Sequence, residues 1–354
     1  MNNKQFFPAL TGFRAIAAWM IFVYHFFPFK NVNHSYPKWI SDVVWEFHIG
    51  VDMFFVLSGF LITYRYFDEN PIHFKKYMVN RFARIYPMYF ILTIAVFLVG
   101  YLQSNTWTTQ NTIQAILSFT MTKALFSEYN FAGIPQGWTL TLEEMFYFTA
   151  PFYFILIRKR LFWLFVLPVI VWLFGIYASE LTNGINFGGF LQTGISAFIV
   201  EFFIGIGLAL VIKKGLFNFK HKLLKITYIG MGGVIIYLLG MQNFREMFSF
   251  NEELGRFISM VLLSGLGIAP LLWGLIHEDT FVRRILSLPV LVLLGKASYI
   301  FYLIHKGFIP IFIDEHIWAN KIFLFVVLNL LSIILFRYIE EPANQWIRKR
   351  YGKI

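Results

Sequence analysis

Residues 10–27, "LTGFRAIAAWMIFVYHFF", form an apolar run that is long enough for a membrane-spanning helix. The run nevertheless contains Arg14 and His25, and ionisable side chains inside a bilayer mark functional sites by default. The two residues are eleven positions apart, about 20° past three full helical turns, so both project from one face. Their axial separation is about 16 Å, roughly half of the hydrocarbon core. Such a face is expected to line a protein interior or a cavity, not lipid.

The composition sets the class of protein. Hydrophobic residues make up 58% of the 354 residues and charged residues only 14%, whereas soluble domains carry about 25% charged residues. Together with a mean hydropathy of +0.63, this predicts an all-α integral membrane protein. We attribute the net charge of +11 to basic cytoplasmic loops, and we expect no nucleic-acid partner. The chain has no cysteine, which excludes disulfides, thiolate metal sites and an acyl-cysteine intermediate; we expect no metal.

Ten apolar segments have the length of a membrane span. The predicted spans are residues 9–29, 48–66, 85–102, 140–157, 161–178, 195–212, 223–241, 257–276, 289–309 and 321–338. With both termini in the cytoplasm, 21 of the 30 basic residues fall inside and seven outside, as the positive-inside rule requires. We predict a single transmembrane domain over residues 1–354.

The longest loop, about residues 103–139, lies outside in this topology. Ile113, Ile116 and Leu117 recur there at helical spacing. The loop is therefore predicted to contain an interfacial amphipathic helix.

This topology sorts the polar residues of the spans into two levels. The outer level holds side chains that exchange or orient protons near neutral pH: His25, His48, Asp52, Glu143, Glu144 and His305. The inner level holds cations that suit anionic phosphate: Arg14, Arg81, Arg84 and Lys296.

Each of these residues also has a purely structural interpretation. Arg14 fits a side chain that snorkels to the inner surface, and His25 fits an interfacial histidine bonded to a loop. Glu143 and Glu144 fit acids that favour a helix N-terminus. Because they point about 100° apart, these two acids are not expected to serve one site equally.

The remaining candidates likewise have both a structural and a functional interpretation. Asp52 fits a structural partner of a neighbouring helix, and Arg81 and Arg84 fit plain cytoplasmic cations. The "LSGF" stretch, residues 57–60, fits close helix packing through small residues, and Ser58 as a nucleophile is the weaker interpretation.

Six stretches of motif-like sequence follow one another along the chain: "LTGFRAIAAWMIFVYHF" with Arg14 and His25, "GVDMFFVLSGFLIT", "RFARIYPMYF" with Arg81 and Arg84, "GWTLTLEEMFYF" with Trp138 and Thr139, "ASYIFYLIH" with Tyr302 and His305, and "EEPANQW". Taken together, they resemble the acyltransferase-3 family of membrane acyltransferases, chiefly bacterial enzymes that O-acylate surface carbohydrates. Thr139 stands where Ser is usual in that family. Any one motif is weak, but five or six in order at these spacings are specific.

The resemblance implies an acyl-CoA donor, usually acetyl-CoA, and a hydroxyl acceptor on a lipid-linked or polymeric glycan, at the cytoplasmic (inner) membrane. CoA phosphates would bind Arg81, Arg84 and Arg14, and the pantetheine arm would follow the face that joins Arg14 to His25. His25 would act as general base or carry the acyl group, oriented by Glu143 or Asp52. Secondary candidates for substrate binding or orientation are Glu144, Trp138, Tyr302, His305 and Ser58.

Partners follow from the same resemblance. Membrane lipid and the carbohydrate acceptor are expected. Some relatives carry a fused extracytoplasmic hydrolase-like domain, whereas this chain ends at Ile354 just after its last predicted span. We therefore expect no such domain, and either direct acylation of the acceptor or a separate partner for glycan assembly.

A transporter or flippase for a glycan or a proton-coupled substrate is the main competing class, since it also places His, Asp and Glu within spans. It should show paired half-repeats and broken helices, and we find no convincing repeat. A third class, a glycan-binding regulatory protein without catalysis, is disfavoured by Arg14 and His25.

Overall fold

Helices form all the regular secondary structure that a computed structural model describes, over residues 6–26, 37–181, 194–217, 224–247 and 249–352. This confirms the all-α prediction, and helices satisfy every backbone polar group within lipid. The α-helices are α1 (Pro8–Phe26), α2 (Lys38–Trp45), α3 (Gly50–Tyr66), α4 (Phe74–Ser104), α5 (Thr109–Phe119), α6 (Trp138–Lys159), α7 (Trp163–Leu181), α8 (Ser196–Lys213), α9 (Ile226–Met247), α10 (Glu252–Leu262), α11 (Ala269–His277), α12 (Phe281–Leu286), α13 (Pro289–Ile304), α14 (Phe308–His316), α15 (Lys321–Leu335) and α16 (Glu341–Tyr351).

Six described segments are long and apolar enough to cross a membrane: Pro8–Phe26, Lys38–Tyr66, Phe74–Ser104, Pro135–Lys159, Glu252–His277 and Lys321–Tyr351. The bent pair α13 and α14, at 83°, gives a seventh if both halves count as one span. The other predicted spans, the fifth to the seventh, fall on α7, α8 and α9. The count of ten and the cytoplasmic termini stay predictions, and residues 27–29 of the first predicted span lie outside the described residues.

Two helices extend well beyond the apolar runs that predicted them. The third predicted span began at residue 85, whereas α4 begins at Phe74, and the last predicted span continues through a π-helical segment, Phe336–Glu340, into α16. Hydropathy marks the lipid-compatible part of a helix, and polar helix-forming residues extend it further.

The chain forms two compact units, which are described separately. Unit 1 contains Met1–Phe67 and Ala197–Ser298, and unit 2 contains Asp68–Ser196 and Tyr299–Ile354. The division falls inside α13, after Ser298. The prediction of a single domain stays a prediction.

In unit 1, α3 and α8 touch backbone to backbone at two glycines. A Cβ atom on Gly59 would lie 2.0 Å from the Phe202 carbonyl oxygen, and one on Gly205 would lie 2.1 Å from the Val56 carbonyl oxygen. Both contacts lie at one crossing point of the two helices. Small residues permit this approach in membrane proteins, and Gly59 belongs to the "LSGF" stretch for which close packing was predicted.

A buried carboxylate begins α9 in the same unit. The Glu278 carboxylate accepts hydrogen bonds from the backbone N–H groups of Ile226 at 2.9 Å and Thr227 at 2.8 Å, and from the Thr227 hydroxyl at 2.7 Å. A carboxylate at a helix N-terminus satisfies unpaired N–H groups and interacts favourably with the helix dipole. Glu278 therefore has a structural role.

Unit 2 is organised around α4. Tyrosine hydroxyls inside a protein normally find a hydrogen-bond partner, and three tyrosines, two buried and one half-buried, link α4 to its neighbours. These bonds run from Tyr77 to the Tyr147 carbonyl at 2.7 Å, from Tyr86 to the Phe119 carbonyl at 2.8 Å, and from Tyr299 to the Ile85 carbonyl at 2.8 Å. They connect α4 to α6, α5 and the end of α13.

The predicted helix in the long loop is present as α5. Thr108 and Asn111 form a reciprocal capping box at its start. Ile113 and Ile116 are exposed, whereas Ala115 is buried. The apolar residues are thus available to a membrane surface, and contact with that surface stays a prediction.

A fully buried lysine follows α5. The Lys123 amine donates hydrogen bonds to the carbonyl oxygens of Ala132, at 2.6 Å, and Ile134. Burial lowers the pKa of Lys123 to about 7. These bonds hold the segment that leads into α6.

Substituting the contact glycines tests the packing of α3 against α8. Gly59→Ala and Gly205→Ala should each lower the free energy of unfolding by about 1–3 kcal/mol, because the new methyl group collides with backbone. Thermal unfolding of the purified protein in detergent measures the effect. Gly232→Ala is the matched control, since a Cβ there meets nothing within 4 Å; equal melting temperatures for all three variants would contradict the packing.

Lys123 should make stability depend on pH. Its pKa is about 7 in the folded protein, against about 10.4 for an ordinary lysine, so the unfolded chain binds more protons between these two pKa values. Stability should therefore rise with pH from about 7 towards 10, and Lys123→Met should remove that rise. Melting temperatures between pH 6 and 10 check this, with the exposed Lys75→Met as control; a rise that survives in Lys123→Met refutes the assignment.

Candidate active site

The arginine and the histidine of the first predicted span lie on one continuous helix. Arg14 and His25 are both half-buried on α1. The Arg14 guanidinium lies 6.0 Å from the ring centre of Phe54 on α3, within the range of a cation–π interaction. Arg14 is therefore directed towards a neighbouring helix of unit 1.

His25 belongs to an aromatic cluster at the C-terminal end of α1. The Tyr24 ring lies 4.8 Å from the His25 ring, 5.6 Å from Trp45 and 5.8 Å from His48, between ring centres. His48 is held by its Nδ1, 3.1 Å from the Trp45 carbonyl oxygen. The segment that precedes α3 thus packs its aromatic side chains beside His25.

Asp52, in the first turn of α3, meets a carboxyl group that the sequence analysis missed. Asp52 is 6% exposed, and it interacts with His48 and with Glu201 of α8. Glu201 is completely buried. The available signal was a single acid in the apolar run "SAFIVEFFIGIGLAL", residues 196–210, because an acid inside a span is unfavourable without a partner.

Ser58 lies beside the contact between α3 and α8. Its side chain is half-buried next to Gly59. In unit 1 the structure thus places Arg14, His25, Asp52 and Ser58 on the packed helices α1 and α3, with Glu201 on α8.

In unit 2, Glu143 and Glu144 on α6 have Tyr147 and Arg81 among their partners. The Tyr147 hydroxyl donates a hydrogen bond to the Glu143 carboxylate, whereas Glu144 interacts electrostatically with Arg81. The Arg81 guanidinium also lies 5.3 Å from the ring centre of Tyr147. Tyr147 therefore contacts both the acid Glu143 and the cation Arg81. The sequence contained one signal for Tyr147, its position four residues after Glu143.

A second hydrogen-bonded group joins the start of α6 to the end of α13. The Thr139 hydroxyl lies 2.9 Å from the Tyr302 hydroxyl, and it donates to the Gln136 carbonyl at 3.0 Å. His305 is 1% exposed, and its Nδ1 lies 2.6 Å from the Tyr302 carbonyl oxygen. Thr139 supplies the hydroxyl that serine usually provides in the resembling motif, while Trp138 is half-buried at the first position of α6.

Gln136 is a further residue that the sequence analysis did not single out. Its side-chain amide donates hydrogen bonds to the carbonyl oxygens of Leu303 and Lys306. The segment before α6 is thus fastened to the break between α13 and α14.

Arg84 is paired with an acid from the last part of the chain. Its guanidinium forms a salt bridge with Glu340, which is completely buried at the end of the π-helical segment Phe336–Glu340. π-Helical insertions recur at functional sites. A phosphate that binds Arg84 therefore has to share the guanidinium with Glu340.

The predicted site residues divide between the units. Arg14, His25, Asp52 and Ser58 belong to unit 1, and the others, Arg81, Arg84, Trp138, Glu143, Glu144, Tyr302 and His305, belong to unit 2. The predicted action of Glu143 on His25 stays a prediction. Across the described ranges, no three His, Asp or Glu side chains are arranged to hold a metal ion.

Curated proteins from Staphylococcus aureus are similar to most of the chain. The O-acetyltransferase OatA of strain NCTC 8325 is 25% identical, with 98% of this chain and 58% of the relative covered. A protein of strain COL, named as a putative O-acetyltransferase, is 26% identical, with 97% and 58% covered. The chain thus spans about three fifths of the length of these relatives. No solved structure matches it.

The family comparison covers almost the whole chain. A family profile described as an acyltransferase domain matches residues 7–339. These residues include every motif on which the resemblance was based, apart from "EEPANQW", which begins at Glu340. The chain therefore belongs to the acyltransferase-3 family.

Proposed function

We propose that this protein is a multi-pass O-acyltransferase of the cytoplasmic membrane that transfers an acyl group, in the first instance acetyl, from acyl-CoA to a carbohydrate hydroxyl. The carbohydrate is a cell-surface or lipid-linked glycan. Membership of the acyltransferase-3 family over residues 7–339 carries the proposal. The names of the staphylococcal relatives support O-acetyl transfer.

His25 is the general base in this proposal. Its imidazole takes the proton of the acceptor hydroxyl as the hydroxyl oxygen attacks the thioester carbonyl carbon. The carbon–sulfur bond then breaks, and CoA leaves as a thiolate that takes up a proton. In the alternative course, His25 first accepts the acyl group from CoA and then passes it to the hydroxyl.

The environment of His25 suits a proton-transfer group. Asp52, a buried acid of the same unit, interacts with His48, and both histidine rings lie against Tyr24. An acid beside a histidine cluster stabilises the imidazolium that forms when the base accepts a proton. We therefore assign Asp52 the orienting role.

Arginines bind the donor in this proposal. The planar guanidinium carries five N–H donors and matches phosphate oxygens. Arg81 and Arg84 are proposed to bind the phosphates of CoA, and Arg14 is proposed to contact the donor along α1. Glu340 holds Arg84 in place.

The hydrogen-bonding groups of unit 2 are proposed to bind the acceptor. Hydroxyl and carboxylate groups that both donate and accept suit a sugar. Glu143, Trp138, Tyr302 and His305 are the candidates. The adjoining Thr139 and Gln136 hold them.

Replacing His25 tests the central step. His25→Ala should reduce acylation of surface glycans by about 10²–10⁴-fold, the usual contribution of a general base, without loss of folded protein. Mass spectrometry of the glycans measures the acetyl groups. His316→Ala, at an exposed histidine, is the control; His25→Ala with wild-type acetylation would exclude catalysis by this residue.

Replacing Arg84 tests donor binding. Arg84→Lys keeps the charge but loses the planar fork, so the KM for acetyl-CoA should rise roughly tenfold with little change in folding. Steady-state assays at varied acetyl-CoA measure it. Arg284→Lys is the matched control, because Arg284 forms an exposed ion pair with Asp279; an unaltered KM in Arg84→Lys counts against a phosphate contact.

A further inference from the structure

Glu201 is a buried acid to which neither the sequence motifs nor the proposed function assigns a role. It lies in the second turn of α8 and has no exposed surface. Ionisable groups in such surroundings are rare and carry function by default. Neither of its carboxyl oxygens has a hydrogen-bond partner among the described residues, and its ionisable neighbour is Asp52.

The two acids lie on helices that are in direct backbone contact. A Cβ on Gly205 would touch the carbonyl oxygen of Val56, which is one helical turn after Asp52. A Cβ on Gly59 would touch the carbonyl oxygen of Phe202, the residue after Glu201. The packed glycines therefore hold together the two helices that carry these acids, and Asp52 and Glu201 interact.

Two carboxylates in this setting do not both carry a charge without a cation between them. Asp52 faces His48 and Glu46 from the segment before α3, and it faces Glu201 from α8; α1 contributes His25 near His48. Asp52 also lies in the first turn of α3, where the helix dipole favours a negative charge. Within the described residues, the ionisable neighbour of Glu201 is Asp52, so these surroundings favour the negative charge on Asp52 and the proton on Glu201.

We propose that Glu201 is a positioning residue for the reaction: it keeps its proton, donates it to the Asp52 carboxylate, and so fixes a single negative charge beside the His25 cluster. The kinetic part of this assignment rests on the proposed function. No bond is made or broken by Glu201, which acts through Asp52.

Variants at Glu201 test the kinetic part. Glu201→Gln keeps an N–H donor for Asp52, so its kcat should stay within about threefold of the wild-type kcat. The dependence of kcat on pH should also match that of the wild type, because the proposal has Glu201 protonated throughout. Glu201→Leu removes the donor and should lower kcat by about 10–100-fold, as loss of an outer orienting partner does, with little change in KM. Glu252→Leu, at an exposed glutamate of unit 1, is the matched control.

A double-mutant cycle asks whether Glu201 acts through Asp52. If it does, adding Glu201→Leu to the Asp52→Asn variant should not lower kcat any further, because the effects of coupled residues are not additive. A wild-type kcat in Glu201→Leu, or full additivity with Asp52→Asn, would overturn the positioning role.

A measurement without substrate keeps the inference independent of the proposed reaction. Infrared difference spectra of the purified wild-type protein at neutral pH should contain the carbonyl stretch of a protonated carboxyl group that is missing in Glu201→Gln. If that band is present but no acyl transfer is found, the proposed function is wrong, whereas the assignment of a proton to Glu201 is supported. If the two spectra are identical in this region, Glu201 is ionised and the assignment is wrong.

Discussion

A charge in the apolar interior of this protein has to be matched by a partner from another segment of the chain, and the structure depends on that requirement. Arg84 meets Glu340, which is 256 residues away, and Asp52 meets Glu201 on a different helix. Leaving one member of such a pair alone is strongly destabilising, because the remaining charge is buried without compensation. The pairs therefore specify which helices lie together, and the apolar surfaces that surround them supply most of the favourable energy.

The same requirement limits how the basic residues of unit 2 act on a ligand. Arg81 and Arg84 look like two free cations in the sequence, but each faces an acid, Glu144 and Glu340 respectively. The local net charge is then far below two, so long-range attraction of an anion is weak. A guanidinium with one carboxylate partner still has N–H donors left. Recognition of phosphate at this place accordingly depends on short, directional hydrogen bonds.

The sequence was sufficient for features that depend on local periodicity, and insufficient for those that depend on distant partners. Apolar runs and helical spacing predicted the helices and the common face of Arg14 and His25, because both follow from 3.6 residues per turn. Glu201 and Tyr147 were not predicted, because their meaning comes from a partner brought near by packing. The start of α4 at Phe74 lies well before the predicted span, because hydropathy reports lipid contact, whereas the helix continues through polar residues.

Lys123 is a further residue whose surroundings could not be predicted from the sequence. In the sequence it was one of seven basic residues assigned to the outside, yet its amine is buried against two carbonyl groups. Its position explains Gly137, where a Cβ would lie 3.2 Å from the Lys123 amine nitrogen and 3.1 Å from the Tyr89 ring. The glycine therefore allows the Lys123 and Tyr89 side chains to approach the backbone closely, and a larger residue would displace them. Gln136, next to it, is fastened to the Leu303 carbonyl.

The segment before α6 is therefore a rigid base and not a loose connection. Its backbone carbonyls are bonded to a buried amine, its glycine is packed, and its glutamine is tied to the end of α13. A binding group is most effective when its supporting residues hold it within a fraction of an ångström. The Trp138–Glu143 stretch begins on this base, so the precision of any acceptor site in unit 2 is set by Lys123 and Gln136, neither of which needs to touch the acceptor.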